Sequence, residues 1–417
     1  MRRFAALLAA ALAAAFAAGC GTREHANPFD PQNPVTHGRP AGFAALAGPS
    51  LVELRWSPPL LAGDFGYRLF RRIAGEADFR QIGPDLDRSS SYYADFGLAD
   101  GTLHEYRLYY VFSGVTGGLP AEDAATPGPL RPWCADLARA SLFAITPDGR
   151  HIVAEHGGYI GPTHLAVDPT RGTVWISDTY DGRVVNFNPA TGGRFQIPGF
   201  AEPVALAVDP IDRSIWVCDQ GRDAVYHYTA AGVAGTPSQF PGLLTPIGVA
   251  CDPTSGNVWV CERGRDRVLR FARNGTLLSA ATLGVPSRIA VDSLTGDAWA
   301  TSFEGAKLVR FSAAGVAEDT VALAGPIGVA VDARRGRIWV ADARAGQVVV
   351  VTRAGQILHR IGGMTQARDV DVDLAAGEAW VTVPGIRSVV RIAESGAVLA
   401  RLGGFTDPYG IALDPGR

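Results

Sequence analysis

Seven of the eight tryptophans in this chain of 417 residues stand at nearly equal intervals. They are Trp133, Trp175, Trp216, Trp259, Trp299, Trp339 and Trp380, with steps of 42, 41, 43, 40, 40 and 41 residues. A near-constant period of ~40–45 residues marks a repeat built on four short strands per unit. One such unit cannot bury its apolar face alone, so the units must stack on one another. The repeat reads in full from Pro162 to Gly192. Its first strand is predicted over 164–168 (HLAVD), its second over 173–178 (TVWISD) and its third over 183–187 (RVVNF). Turn residues separate them, and a looser fourth strand leads to the next proline.

The aspartate that ends the first strand recurs as Asp168, Asp209, Asp252, Asp292, Asp332, Asp373 and Asp414. The last copy, at 409–414, has a first strand and no tryptophan strand after it. The first copy is its complement: residues 133–136 align with 175–178, and no first strand precedes them. Without a gap, residues 142–145 fall on 184–187. One unit is therefore split, its inner strand supplied from the C-terminal end, which leaves no open inner edge. Residues 130–417 number 288, and 288/7 is about 41, the observed period. The expectation is a seven-bladed β-propeller with one blade closed by the C-terminal strand. The clearest copy, PIGVACDPTSGNVWVCERGRDRVLRF at 246–271, resembles the NHL and YVTN families of β-propellers, as does the whole of 130–417. That resemblance implies an interaction or substrate platform, since such propellers host scaffolds, lactonases and lyases alike.

The N-terminal end reads as an address. Arg2 and Arg3 precede an apolar run over 4–18, which is 15 residues and shorter than the ~20 that span a bilayer as a helix. Residues 17–20 (AAGC) resemble a bacterial lipoprotein box, which implies a signal peptide over 1–19 and lipidation of Cys20. Residue 21 is Gly rather than Asp, and in lipoproteins of double-membraned bacteria this implies the outer membrane. The expectation is an exported chain, lipid-anchored in the cell envelope. Three prolines within 28–34 suggest a stiff, extended tether over 20–38.

Residues 39–127 alternate apolar and polar side chains in short runs between turn signals, the pattern of a small β-sandwich. Trp56, Tyr67 and the run Tyr106, Leu108, Tyr110 resemble a fibronectin type III domain, with Trp56 on its second strand and Tyr67 opening its third. His104 departs from that pattern, which has a corner tyrosine there. The resemblance implies a ligand module or a spacer; no adhesive tripeptide is present, and the spacer is preferred.

Composition closes off several classes. The chain is 47% hydrophobic and 19% charged, with 38 basic against 41 acidic residues. It has neither the basic excess of a nucleic-acid binder nor the charge-rich, apolar-poor make-up of a disordered chain. Fifty glycines, 28 prolines and short periodic strands point to an all-β protein. No glycine-rich loop followed by lysine is present for nucleotide phosphates. The spacing from Gly172 to Trp175 is one residue shorter than in the quinone-cofactor propeller repeat, and no cofactor is expected. Cys134, Cys218, Cys251 and Cys261 fill small packing slots of the repeat, with no CxxC or Cys/His spacing for a metal. Four cysteines in an oxidising compartment allow three pairings, which the sequence does not rank.

Residues at the third position after each repeat tryptophan are Asp136, Asp178, Asp219, Glu262, Ser302, Asp342 and Val383. Acceptors in six of seven copies suit a structural part, holding the turn between second and third strands. Breaks in the repeat are more informative. The inner strand starts with a small residue at Ala205, Gly248, Gly328 and Gly410, but with His164, Arg288 and Asp369 in the other three. The neighbouring loops carry Arg222, Arg263 and Arg265. These residues form a candidate polar face at the channel mouth, and arginine forks suit carboxylates, phosphates or acidic glycans. No catalytic set is evident. The preferred function is a binding platform for a protein, peptide or acidic glycan. The alternative is a metal-dependent enzyme of lactonase or lyase type, which needs several converging His, Glu, Asp or Asn ligands. Only His164 and Asp369 start inner strands in that role.

Overall fold

The computed structural model describes residue 25 and residues 27–59, 63–128, 131–240 and 242–414. The predicted signal peptide and Cys20 lie outside the described residues. The chain divides into two compact units, Met1–Gly128 and Pro129–Arg417. Both are built from antiparallel strands.

In the first unit, Ala41–Gly48, Leu51–Ser57 and Tyr92–Phe96 form one sheet in that order. A second sheet runs in the order Arg80–Asp87, Gly66–Ile73, His104–Phe112, Val115–Ala125. Side chains alternate across a strand, so Val52, Leu54 and Trp56 of one sheet meet Tyr67, Leu69, Tyr106, Leu108 and Tyr110 of the other in one core. Trp56 and Tyr67 lie 5.3 Å apart, ring centre to ring centre. Tyr106 is buried and donates its hydroxyl to Asp95, 2.9 Å away, a carboxylate that also holds Arg71 at 2.8 Å.

The expectation of an extended tether needs correction for residues 27–38, which fold into successive turns. Asn33 accepts the N–H groups of Val35 and Thr36, and Thr36 donates its hydroxyl to the carbonyl of Pro28. Side-chain acceptors of this kind close turns where proline has removed backbone donors. Phe29 then packs against the core, 5.9 Å from Tyr110. The proline count said nothing of the aromatic between them.

Among the described residues, the second unit contains seven four-stranded sheets. The first complete repeat runs Pro162–Asp168, Thr173–Asp178, Arg183–Phe187, Arg194–Pro198. Proline is the first residue of the leading strand in six of the seven copies, a place where no ladder donor is lost. At the other end of that strand, aspartate accepts an N–H two residues on, as Asp168 does from Thr170 at 2.9 Å, Asp252 from Thr254 and Asp292 from Leu294. A left-handed glycine completes the same turn at Gly172, Gly256 and Gly296; in the copy without glycine, Arg213 takes that conformation at φ 66°. The tryptophans sit on the second strands and are at most 1% exposed, each wedged between sheets.

The seventh sheet joins both ends of the unit. Pro408–Asp414 pairs with Arg131–Asp136, Ile411 opposite Cys134 and Ala412 opposite Trp133, beside Ser141–Ile145 and Ile152–His156. The leading strands lie against one another in sequence order. Pro162–Asp168 touches Pro203–Val208, and the succession continues to Val370–Asp373 and Pro408–Asp414, which returns to Pro162–Asp168.

The acids after tryptophan have a different task from the one expected. Asp178 accepts the N–H groups of Ile160 and Gly161, Asp219 those of Ala201 and Glu202, and Asp342 those of Ala324 and Gly325. These donors belong to the connection entering the leading strand, not to the turn between second and third strands. That connection is partly or fully buried and has no ladder partner, so a carboxylate supplies its acceptors. Asp136 does the same for Thr406 and Asp407 and also takes the N–H of Arg139.

Candidate functional site

The leading strands line a cavity of about 420 Å³. A second cavity of about 340 Å³ opens beyond it, among the loops between second and third strands. Arg288 and Asp369 line both and so mark the partition between them. The first is termed the channel cavity and the second the mouth cavity.

One repeat position sets this partition, third in six of the leading strands and just before Val370–Asp373 in the other. In chain order its residues are His164, Ala205, Gly248, Arg288, Gly328, Asp369 and Gly410. A β-bulge falls at or next to this position in six copies, as between Pro162 and His164 and between Pro286 and Ile289. Bulges re-aim side chains next to sites. Each large residue also has a glycine on the preceding strand. A Cβ on Gly248 would lie 3.3 Å from the Cα of Arg288, and one on Gly328 would lie 2.9 Å from the Cα of Asp369. One on Gly410 would meet the Thr163 carbonyl at 2.5 Å and the Cα of His164 at 3.3 Å. Small and large residues thus alternate because three strands approach closely, not for flexibility. Gly328→Ala is expected to destabilise the protein by ~1–3 kcal/mol through overpacking, read by denaturant unfolding; a neutral result would remove the close-approach explanation.

The three large residues reach across to neighbouring backbones. Arg288 donates Nη1 to the carbonyl of Ile247 at 2.8 Å and to that of Val204 at 3.3 Å. Asp369 accepts the N–H of Ile411 at 3.1 Å, and His164 Nδ1 accepts that of Leu206 at 3.5 Å. Burial holds His164 well below the ordinary imidazole range, and Arg288 adds to the effect, so the ring is neutral at physiological pH. Burial raises Asp369, while Arg288 and the Ile411 N–H oppose that rise.

Two residues below the partition stands Asp371, absent from the sequence expectations. It lines the channel cavity and accepts N–H groups from Leu413 at 2.9 Å and from Val372 at 2.8 Å. Burial pushes its carboxyl up to about 7, against those two hydrogen bonds, and Asp369 and Asp373 add to the rise. The signal was present: the same repeat position is Ala166, Ala207, Ala250, Ala290, Ala330 and Ala412 elsewhere.

The predicted arginine face separates into two parts. Arg263 lines the mouth cavity and is exposed, and no described carboxylate pairs with it. Arg222 and Arg265 line neither cavity. Each turns back three residues to the buried acid that ends its second strand, Arg222 to Asp219 at 3.8 Å and Arg265 to Glu262 at 2.6 Å. A buried carboxylate attracts the nearest surface cation, and both arginines are therefore turn partners rather than mouth residues. Other side chains also border the mouth. Arg368 lies over the ring of Tyr409 at 4.2 Å and pairs with Asp407 at 2.8 Å; Phe303 and Tyr180 complete an aromatic rim.

Among the described residues, no three His, Cys, Asp or Glu side chains gather as a metal site. Cys134, Cys218, Cys251 and Cys261 are free thiols. Burial raises all four, Cys261 to about 12, so they are packing residues of low nucleophilicity.

Residues 323–351, which run from the loop before Pro326–Asp332 through most of Gln347–Thr352, match the NHL repeat family. No match to a curated protein was found. A streptogramin B lyase structure is similar at a TM-score of 0.55 and 17% identity, over 68% of this chain and 91% of that one. A functionally unknown protein from Desulfotomaculum acetoxidans DSM 771 gives 0.59 and 14%, over 68% and 98%. The hydrazine synthase of Kuenenia stuttgartiensis gives 0.53 and 14%, over 61% and 90%. At such identities the likeness is one of fold. The second unit of this all-β chain is a β-propeller carrying an NHL repeat.

Proposed function

We propose that this chain is a lipid-anchored binding platform of the bacterial cell envelope, tethered at Cys20 to the outer membrane. Its first unit is read as a fibronectin type III-like spacer and its second as a propeller of seven blades, one closed by the C-terminal strand. The mouth of the channel receives an acidic segment of a protein, peptide or glycan partner. One observation carries this reading. Arg263 and Arg288 border one mouth cavity, Arg263 has no described carboxylate partner, and Tyr180, Phe303 and Tyr409 stand around them. Guanidinium forks beside aromatic faces recognise carboxylates on peptides or sugars, with the rings supplying stacking area.

The metal-dependent enzyme reading has weaker support. A metal that polarises a substrate oxygen needs several converging ligands, and the described residues bring no such group together. The lyase-named relative lends it a shared fold only.

The test is binding of the full chain to uronic-acid oligosaccharides and acidic peptides, with neutral counterparts as controls, by biolayer interferometry. Arg263→Ser with Arg288→Ser is expected to weaken the acidic interaction at least tenfold, the loss of one or more charge-assisted contacts. Arg222→Ser with Arg265→Ser should leave it within about twofold, since those side chains face their turn acids. Equal losses in both pairs, or no preference of the wild type for acidic probes, would sink the reading.

A further inference from the structure

We propose that the channel cavity is a second binding site, for a small organic ammonium whose apolar body lies along the leading strands and whose cationic head sits on Asp371. This goes beyond the mouth reading, which concerns the other side of the Arg288–Asp369 partition.

The cavity has the make-up of a small-molecule site. Its volume of about 420 Å³ falls in the range such sites occupy, and its lining residues are chiefly Ala, Val, Leu and Ile, although the surface they present is as polar as it is apolar. Polar side chains are few and grouped: His164, Arg288, Asp369 and Asp371. Their charges decide the class of ligand. His164 is neutral. Arg288 gives Nη1 to two backbone carbonyls at the partition, which leaves the rest of its fork to the mouth, and Asp369 opposes its charge there. Asp371 is the group left over. Its two oxygens take one N–H each, from Leu413 and Val372, although a carboxylate can accept about four. No described cation pairs with it. An ammonium would supply both the missing donors and the missing charge, in a charge-assisted contact strengthened by the burial of Asp371. An anion would meet Asp371 without compensation, and a neutral alcohol would leave its charge unpaired.

The fold does not ask for this carboxylate. Six sister strands hold alanine at the same position, and their sheets form equally well. Asp371 is therefore a local departure from the repeat rule at a cavity wall, the kind of departure that marks a functional residue.

The experiment is calorimetric titration of the full chain at pH 8 with n-hexylammonium, hexanoate and 1-hexanol. The expected result is saturable 1:1 binding of hexylammonium, at least tenfold tighter than either other probe. Asp371→Ala should weaken that binding at least tenfold, and Asp371→Asn, which keeps the shape and loses the charge, should do likewise. The alanine variant carries the residue of the six sister positions, and its thermal unfolding checks that it is folded. Absence of saturable hexylammonium binding, equal binding of hexanol, or undiminished binding in the two folded variants would each overturn the proposal.

Discussion

A chain ending at Asp407 is expected to lose cooperative folding of its second unit, not merely some stability. The missing strand, Pro408–Asp414, pairs with Arg131–Asp136 and supplies Ile411 and Ala412 to two buried clusters. Truncating one buried isoleucine to alanine alone costs ~2–5 kcal/mol, and each lost backbone hydrogen bond ~1 kcal/mol more. The total is on the order of 10 kcal/mol, as large as the net stability of an ordinary domain. The deletion also bares the inner edge of the split sheet and removes the strand against which Pro162–Asp168 packs. Circular dichroism should show no sharp melting transition, and a hydrophobic dye should bind. A peptide of residues 408–417 added in trans should restore part of the transition. A truncated chain that melts within a few degrees of the full one would mean that the second unit does not depend on this strand.

That strand was legible because its evidence is arithmetical. A seventh aspartate without a tryptophan after it, and a first tryptophan without a strand before it, can be matched by counting. The same counting singled out His164, Arg288 and Asp369; all three line the channel cavity, and only Arg288 and Asp369 reach the mouth where all three were expected. It could not say which donors the acids after tryptophan serve. Period and spacing reveal that an acceptor is needed, whereas the choice between the connection entering the leading strand and the following turn depends on three-dimensional closure. Asp178 lies beside its turn in sequence and bonds residues 160 and 161 instead.

The arginine face was over-read for a related reason. Loop position suggested exposure toward a ligand, yet Arg222 follows Asp219 by three residues and Arg265 follows Glu262 by three, and the turn brings each pair together. The buried acid takes precedence over solvent or ligand. Residues 27–38 failed differently: prolines argue for extension only where nothing apolar offers a reason to fold back, and Phe29 does. Asp371 is as legible a departure as Asp369, since its six sister positions are all alanine, but it stands two residues past the strand start, where the repeat otherwise shows no variation.

Asp371→Ala is expected to stabilise the protein at pH 8, and the gain should shrink as the pH is lowered toward 5. The native carboxyl is raised from an ordinary value near 3.8 to about 7. The folded chain therefore holds this proton more tightly than the unfolded one, and stability falls as pH rises between those two values. Above about 7 the whole penalty is present. A shift of that size corresponds to ~4 kcal/mol at 1.4 kcal/mol per unit, from which the Leu413 hydrogen bond, worth ~1 kcal/mol, must be subtracted. A net gain of ~1–3 kcal/mol at pH 8 follows, measured as the difference in denaturant unfolding between variant and wild type at each pH. Loss of stability at pH 8, or a difference that does not change with pH, would show that the carboxylate is accommodated without strain. If the gain is found, the consequence reaches past stability. Alanine is the residue of the six sister positions, so the substitution is one the fold already accepts. A carboxylate that lowers stability on a cavity wall, where the repeat has a cheaper residue six times over, has its reason in what the cavity holds rather than in the fold.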